Sequence, residues 1–145
     1  MATSSDNLPD YFYGKFKLES SENFDAFLQE IGVGFVTRKM ANIANPDLEI
    51  SKESDGKVCI KVVTSFRTNV IRFHLNEEFD EIRMDGKTVK SKVEFEPPNK
   101  FIQYQWDDKL RMKYIREFLP DRINVVGLNI RKKSFEVFFF FFENF

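Results

Sequence analysis

Arg116 is the residue in this sequence with the clearest chemical potential, because it shares one face of an extended segment with apolar neighbours. In Leu110 to Phe118 the even positions are Leu110, Met112, Tyr114, Arg116 and Phe118, while the odd positions include Arg111, Lys113 and Glu117. Side chains alternate between the two faces of a strand, so the spacing turns one guanidinium inward. A charge placed there is costly unless it meets a carboxylate, ordered water or a ligand anion. Two readings follow: Arg116 pairs with an internal acid or is exposed by a register slip, or it anchors a carboxylate inside a cavity. The pattern alone leaves both open.

Other constellations carry less. His74 is the only histidine and Cys59 the only thiol, with no supporting ligand motif around either, so both read as ordinary strand residues and no metal site is expected. There is no nucleophile elbow, P-loop or dinucleotide fingerprint. Gly32-Val33-Gly34 lacks the preceding strand and the spacing that such sites require. The acidic pairs Glu77-Glu78 and Asp107-Asp108 fall in predicted turns, where solvation accounts for them. The chain reads as a non-enzyme without a cofactor.

The elements that would position Arg116 are mostly strands. The one convincing helical stretch is 21–44, where Phe24, Phe27, Leu28 and Ile31 recur at i, i+3, i+4 and i+7. Ser20 or Ser21 can cap its start, and Glu22 and Asp25 suit the positive end of the dipole. Gly32 offers a left-handed stop, and Val36, Met40 and Ile43 resume the helical spacing until Asn45-Pro46. Two short helices joined by a tight turn are implied. About ten strands are expected at spacings of about ten residues: Tyr11–Leu18, Leu48–Ser51, Val58–Ser65, Asn69–Leu75, Phe79–Met84, Thr88–Phe95, Phe101–Trp106, Leu110–Phe118, Ile123–Asn129 and Phe135–Phe142. Asp55-Gly56, Asp85-Gly86, Pro97-Pro98-Asn99, Asp107-Asp108 and Lys132-Lys133-Ser134 supply turns. The order predicts an up-and-down meander, and a helical lid over a β-barrel is its economical closure.

The chain's 145 residues are one domain's worth, enough to wrap sheet around a cavity. Residues 1–10 read as a flexible tail and 11–145 as a single domain. A net charge of −1, with Lys and Arg scattered among acids, gives no basic footprint for nucleic acid. One cysteine forms no internal disulfide, and MATSSDNLPDYF has neither a basic n-region nor a long apolar run, so a cytoplasmic, reducing compartment is the expectation. The apolar run Val137 to Phe142 is far shorter than the roughly 20 residues of a spanning helix.

With these residues in view, the chain closely resembles the intracellular lipid-binding proteins, the cytosolic fatty-acid-binding and retinoid-binding group. Tyr13-Gly14-Lys15-Phe16-Lys17-Leu18 is similar to the family's opening F-x-G-x-W-K-L with Phe16 in place of Trp. Ser21-Glu22-Asn23-Phe24-Asp25, Gly32-Val33-Gly34-Phe35 and Arg38-Lys39 resemble its helical signature. Thr64-Ser65-Phe66-Arg67-Thr68, Phe73-His74-Leu75, Glu78-Phe79-Asp80-Glu81, Asp85-Gly86-Lys87 and Val89-Lys90-Ser91 continue it in order. The resemblance implies an all-β, ten-stranded antiparallel up-and-down barrel capped by a helix-turn-helix lid, with one ligand in an internal, water-filled cavity. It assigns Arg116 to the buried arginine that binds a fatty-acid carboxylate directly or through water. It places Phe24, Leu28, Val33 and Phe66 at the portal, where their role as lid packing is equally compatible.

The resemblance breaks near the end of the chain. Members that anchor fatty acids most simply carry Arg-x-Tyr twenty residues after the buried arginine, where this chain has Glu136-Val137-Phe138. Arg116 and Glu136 would then pair and suit an ester, an alcohol or a retinoid-like ligand, or a one-residue bulge would turn Glu136 outward. The Phe run makes both faces of that strand apolar, so parity does not choose. The expected ligand wall is Arg116, Tyr114, Glu136, Phe138, Met112 and Phe118. The expectation is a monomeric cytoplasmic carrier of a long-chain fatty acid that releases it at membranes or acceptor proteins. The alternatives are a carrier of neutral lipid or retinoid, and a membrane-associating structural protein.

Overall fold

A computed structural model describes residues 8–130 and 137–144. After a 3-10 turn at Asp10–Phe12, the elements run β1 (Gly14–Glu22), α1 (Phe24–Glu30), α2 (Phe35–Ile43), β2 (Asp47–Lys52), β3 (Val58–Val63), β4 (Thr68–Phe73), β5 (Phe79–Ile82), β6 (Thr88–Glu96), β7 (Lys100–Trp106), β8 (Arg111–Leu119), β9 (Arg122–Asn129) and β10 (Val137–Asn144). Every strand pair is antiparallel, and the hydrogen-bonded order is β4-β3-β2-β1-β10-β9-β8-β7-β6-β5. Sequential neighbours pair throughout, and β1 closes the ring against β10. This is the ten-stranded, helix-capped barrel that the meander predicts.

The ring stays open at one seam, because β4 and β5 are the two ends of the order. Side chains cross that seam. Phe73 and Phe79 stack at 5.5 Å near the β4–β5 connection. At the opposite end Arg67 Nη1 donates to the Met84 carbonyl at 2.5 Å, tying the β3–β4 turn to the β5–β6 turn.

The closed end is filled by aromatic rings. Phe12 stacks on Phe118 at 4.0 Å and meets Phe95 and Phe101 edge-on at 5.7 Å and 5.1 Å. Phe12, Phe101 and Phe118 are fully buried there. Such pairs add to plain area burial through their quadrupoles. The strand expected over Tyr11–Leu18 therefore starts later, since Phe12 belongs to a turn whose amide donates to the Pro9 carbonyl at 3.1 Å. Leu8, placed in the tail by the sequence reading, is buried in the core, and residues 1–7 lie outside the described residues.

At the other end the helices cover the barrel mouth. The expected serine cap is not used: after a bulge between Leu18 and Ser20, β1 continues, and Ser20, Ser21 and Glu22 pair with Phe141, Phe140 and Phe139. A ladder partner has claimed those residues, which removes Glu22 from the first helical turn. Asn23, left-handed at φ +61°, starts α1, and its side-chain amide donates to the Val137 carbonyl at 2.8 Å. Gly32 ends α1 at φ +90°, as the sequence predicts. Phe27, Leu28 and Ile31 are buried, whereas no residue of α2 is. Asp25 holds α2 instead, accepting from Arg38 at 3.2 Å and Asn42 at 2.8 Å. Val36, Met40 and Ile43, whose spacing predicts this second helix, are exposed.

Candidate functional site

A cavity of about 590 Å³ lies under the lid, within the size range of small-molecule sites. Its apolar wall includes Phe24, Phe27, Leu28, Ile31 and Val33 from the lid, Ile60, Val62 and Ile71 from β3 and β4, and Phe138, Phe140 and Phe142 from β10. The polar side carries Glu81, Arg83, Gln105, Tyr114 and Arg116. Strand parity explains which residues of β8 and β10 line it. Residues 114 and 116 share the inward face of β8, and 138, 140 and 142 share that of β10, while Phe139 and Phe141 stack on each other at 6.4 Å.

Arg116 is the centre of the polar side. Its Nη1 donates to Gln103 Oε1 at 2.6 Å, and its surface that remains open faces the cavity. Gln103 is fixed in that orientation, because its Nε2 donates to Glu81 Oε1 at 2.8 Å and to Ser91 Oγ at 2.9 Å. The amide thus turns its carbonyl to the guanidinium and its donors to the acid. Burial pulls the Arg116 guanidinium below its ordinary value, with the Glu81 charge and Tyr114 opposing. Burial likewise pushes the Tyr114 phenol up, aided by Glu81 and opposed by Arg83 and Arg116. At neutral pH the wall presents a charged arginine and a neutral phenol.

Among the described residues Arg116 meets a neutral amide, with an acid one hydrogen bond further on. Of the other predicted wall residues, Tyr114 and Phe138 line the cavity, and their rings approach to 6.1 Å. Met112 and Phe118 are fully buried, and Phe118 packs at the closed end against Phe12. Glu136 lies outside the described residues, and so do both alternatives built on it. Of the portal set, Phe24, Leu28 and Val33 line the cavity, with Phe24 against Phe138 and Phe140 at 5.1 Å and 4.5 Å. Phe66 is 48% exposed in the turn before β4.

Sequence reasoning missed Gln103, Gln105, Glu81 and Arg83. The signal was present in β5, where Phe79 inward places residues 81 and 83 on the same face, an acid and a base two apart. Cys59 is buried on β3, and no cluster of three metal-ligating side chains occurs among the described residues.

Comparison with known proteins agrees with this geometry. Residues 13–122 match the model of the lipocalin / cytosolic fatty-acid binding protein family. A fatty acid-binding protein of Lepidoglyphus destructor is 41% identical over 114 residues, 79% of this chain and 86% of the relative. Among solved structures, Echinococcus granulosus fatty-acid-binding protein 1 superposes with a TM-score of 0.86 at 26% identity, over 94% of this chain and 98% of that one. The Schistosoma mansoni fatty acid binding protein in complex with arachidonic acid gives 0.85 at 29% identity, over 94% and 97%. The matched blocks supply the barrel strands from β1 through β8 and the lid between them, and the chain belongs to the lipocalin / cytosolic fatty-acid binding protein family.

Proposed function

We propose that this protein is a cytoplasmic carrier that takes a long-chain fatty acid into its barrel without transforming it, and delivers it to membranes or acceptor proteins. The observation that carries the reading is a cavity lined largely by apolar side chains and also by a guanidinium whose hydrogen-bonded partner, among the described residues, is a neutral amide. That arrangement leaves Arg116 donors for a ligand carboxylate. Gln103, held by Glu81 and Ser91, sets the guanidinium plane. The relatives and the arachidonic acid complex support the same ligand class.

Affinity comes mainly from the chain. Each buried methylene contributes about 0.8 kcal/mol, so about fifteen contribute roughly 12 kcal/mol before the costs of association. Micromolar to nanomolar binding corresponds to about −8 to −12 kcal/mol, so the head group is left to decide selectivity.

Competitive displacement of a fluorescent fatty acid by oleic acid and by methyl oleate, on delipidated protein, tests the reading. Oleic acid is expected to displace the probe at least about tenfold more effectively than the ester, as a charge-assisted hydrogen bond implies. Arg116→Ala is expected to abolish that difference. Equal displacement by both in the parent protein would redirect the assignment to neutral lipids.

A further inference from the structure

The cavity wall holds a second polar pair that a carboxylate at Arg116 does not use. Arg83 and Gln105 are each only 6% exposed, and both line the cavity. Arg83 commits Nε and Nη2 to the Asp85 carboxylate, the former donating to Oδ1 at 3.0 Å. Among the described residues its Nη1 makes no hydrogen bond, and neither does Gln105 Oε1. A donor and an acceptor are thus buried and left open, each destabilising until something completes it.

The strand register places the two residues in the same relation as a pair whose side chains meet. Across β6, Glu81 stands opposite Val89 and Gln103 opposite Val93, an offset of four residues, and their side chains meet at 2.8 Å. Arg83 stands opposite Lys87, to which its amide donates, and Gln105 opposite Ser91, the same offset of four. The Arg83–Gln105 pair therefore repeats the Glu81–Gln103 juxtaposition one side-chain step along the same strands, toward the β5–β6 turn.

We propose that Arg83 and Gln105 form a subsite for a hydroxyl group on the ligand's chain, so that the protein prefers hydroxylated long-chain fatty acids to unsubstituted ones. A hydroxyl accepts from Arg83 Nη1 and donates to Gln105 Oε1, completing both. A keto or ether oxygen only accepts and leaves Gln105 open. A second carboxylate is disfavoured, because Asp85 already neutralises Arg83 and Gln105 offers it a lone pair. The inference rests on the fatty-acid reading above and adds the chemistry of the chain to it.

The test is displacement of the same fluorescent fatty acid by stearic acid and by monohydroxystearic acids carrying the hydroxyl at successive chain positions. At least one isomer is expected to bind about tenfold more tightly than stearic acid, the size of one well-formed hydrogen bond at a site that is otherwise incomplete. In Gln105→Leu that ratio is expected to fall to about one. Arg83→Lys, which retains a cation for Asp85 but removes Nη1, is expected to do the same and serves if the first variant fails to fold. If stearic acid binds and no isomer exceeds it by more than about twofold, the subsite is overturned and the two atoms belong to ordered water. A preference that survives undiminished in either variant overturns it equally. Failure of stearic acid and every isomer to displace the probe would overturn the carrier reading together with the subsite.

Discussion

At the residue scale the polar side of the cavity consists of linked charges, and their order decides what each contributes. Arg116 was legible in the sequence because one strand's alternation exposes an odd member among Met112, Tyr114 and Phe118. Its partner was not, since Gln103 lies on the neighbouring strand and nothing in one segment specifies a cross-strand register. Arg83 and Asp85 form the other linked pair, and both side chains are almost withdrawn from solvent. Desolvation works against the Asp85 carboxylate, but the hydrogen bond and charge of Arg83 prevail and hold it below its usual range. A depressed folded-state value means that the unfolded chain, at about 3.9, takes up the proton first as pH falls. The pair's contribution is then complete above about pH 4 and lost as pH drops through the folded value. Asp85→Asn is expected to be less stable than the parent at pH 7, with the gap closing as pH falls below about 4, in urea unfolding run at a series of pH values. A gap that is constant across that range would assign the loss to packing and not to charge.

At the element scale the strands were read correctly where turn residues bracket them, and misread where a tertiary partner extends or replaces them. Ser20 and Ser21 have the chemistry of a helix cap, yet β10 draws them into its ladder. Val36, Met40 and Ile43 have the spacing of a buried stripe, yet α2 is held by polar bonds from Asp25 and leaves them exposed. Local pattern specifies what an element can do, and only its neighbours decide which option is taken. The inner row Tyr114–Gly127–Phe138 across β8, β9 and β10 illustrates the same dependence. Gly127 has no side chain, so the rings on either side close over it to 6.1 Å, and a Cβ there would lie 2.0 Å from the Phe138 ring. Phe138 has little freedom to yield, being buried among Phe27, Phe24 and Phe140 at 4.7 Å, 5.1 Å and 5.0 Å. Gly127→Ala is expected to destabilise the barrel by about 1–3 kcal/mol, as overpacking does, read as a lower urea midpoint with an unchanged slope. An unchanged midpoint would show that the ring turns aside without loss.

At the scale of the whole molecule, the barrel has one end plugged by rings and the other covered by the helices. Phe12, Phe95, Phe101 and Phe118 plug one end, whereas at the mouth α1 packs on β10 through Phe24 and Phe27 and α2 is held by polar contacts, Arg38 donating to Asp25 and the Val33 carbonyl and Asn42 to Asp25. The partly exposed Asp25–Arg38 ion pair contributes little stability, and with no buried residue α2 is the weakly held part of the lid. Its outer surface is apolar as well, with Phe35, Val36 and Ile43 between 66% and 70% exposed and Arg38 and Lys39 lying over the Phe35 ring at 5.8 Å and 5.9 Å. An apolar helix face beside two cations suits the headgroup boundary of an anionic bilayer. In the proposed carrier role, contact there would compete for the bonds that hold α2 and open the route to the cavity, and release would be a collision with the membrane instead of a passage through water. Joint replacement of Phe35, Val36 and Ile43 by Ser is expected to slow transfer of a fluorescent fatty acid to anionic vesicles by about tenfold, given roughly 1.5–3 kcal/mol of apolar transfer per side chain. The equilibrium affinity should stay within about twofold, because none of the three lines the cavity. The rate in the parent protein should rise with vesicle concentration and fall with added salt. A transfer rate independent of vesicle concentration, and equal in parent and variant, would assign release to spontaneous opening of the mouth into water.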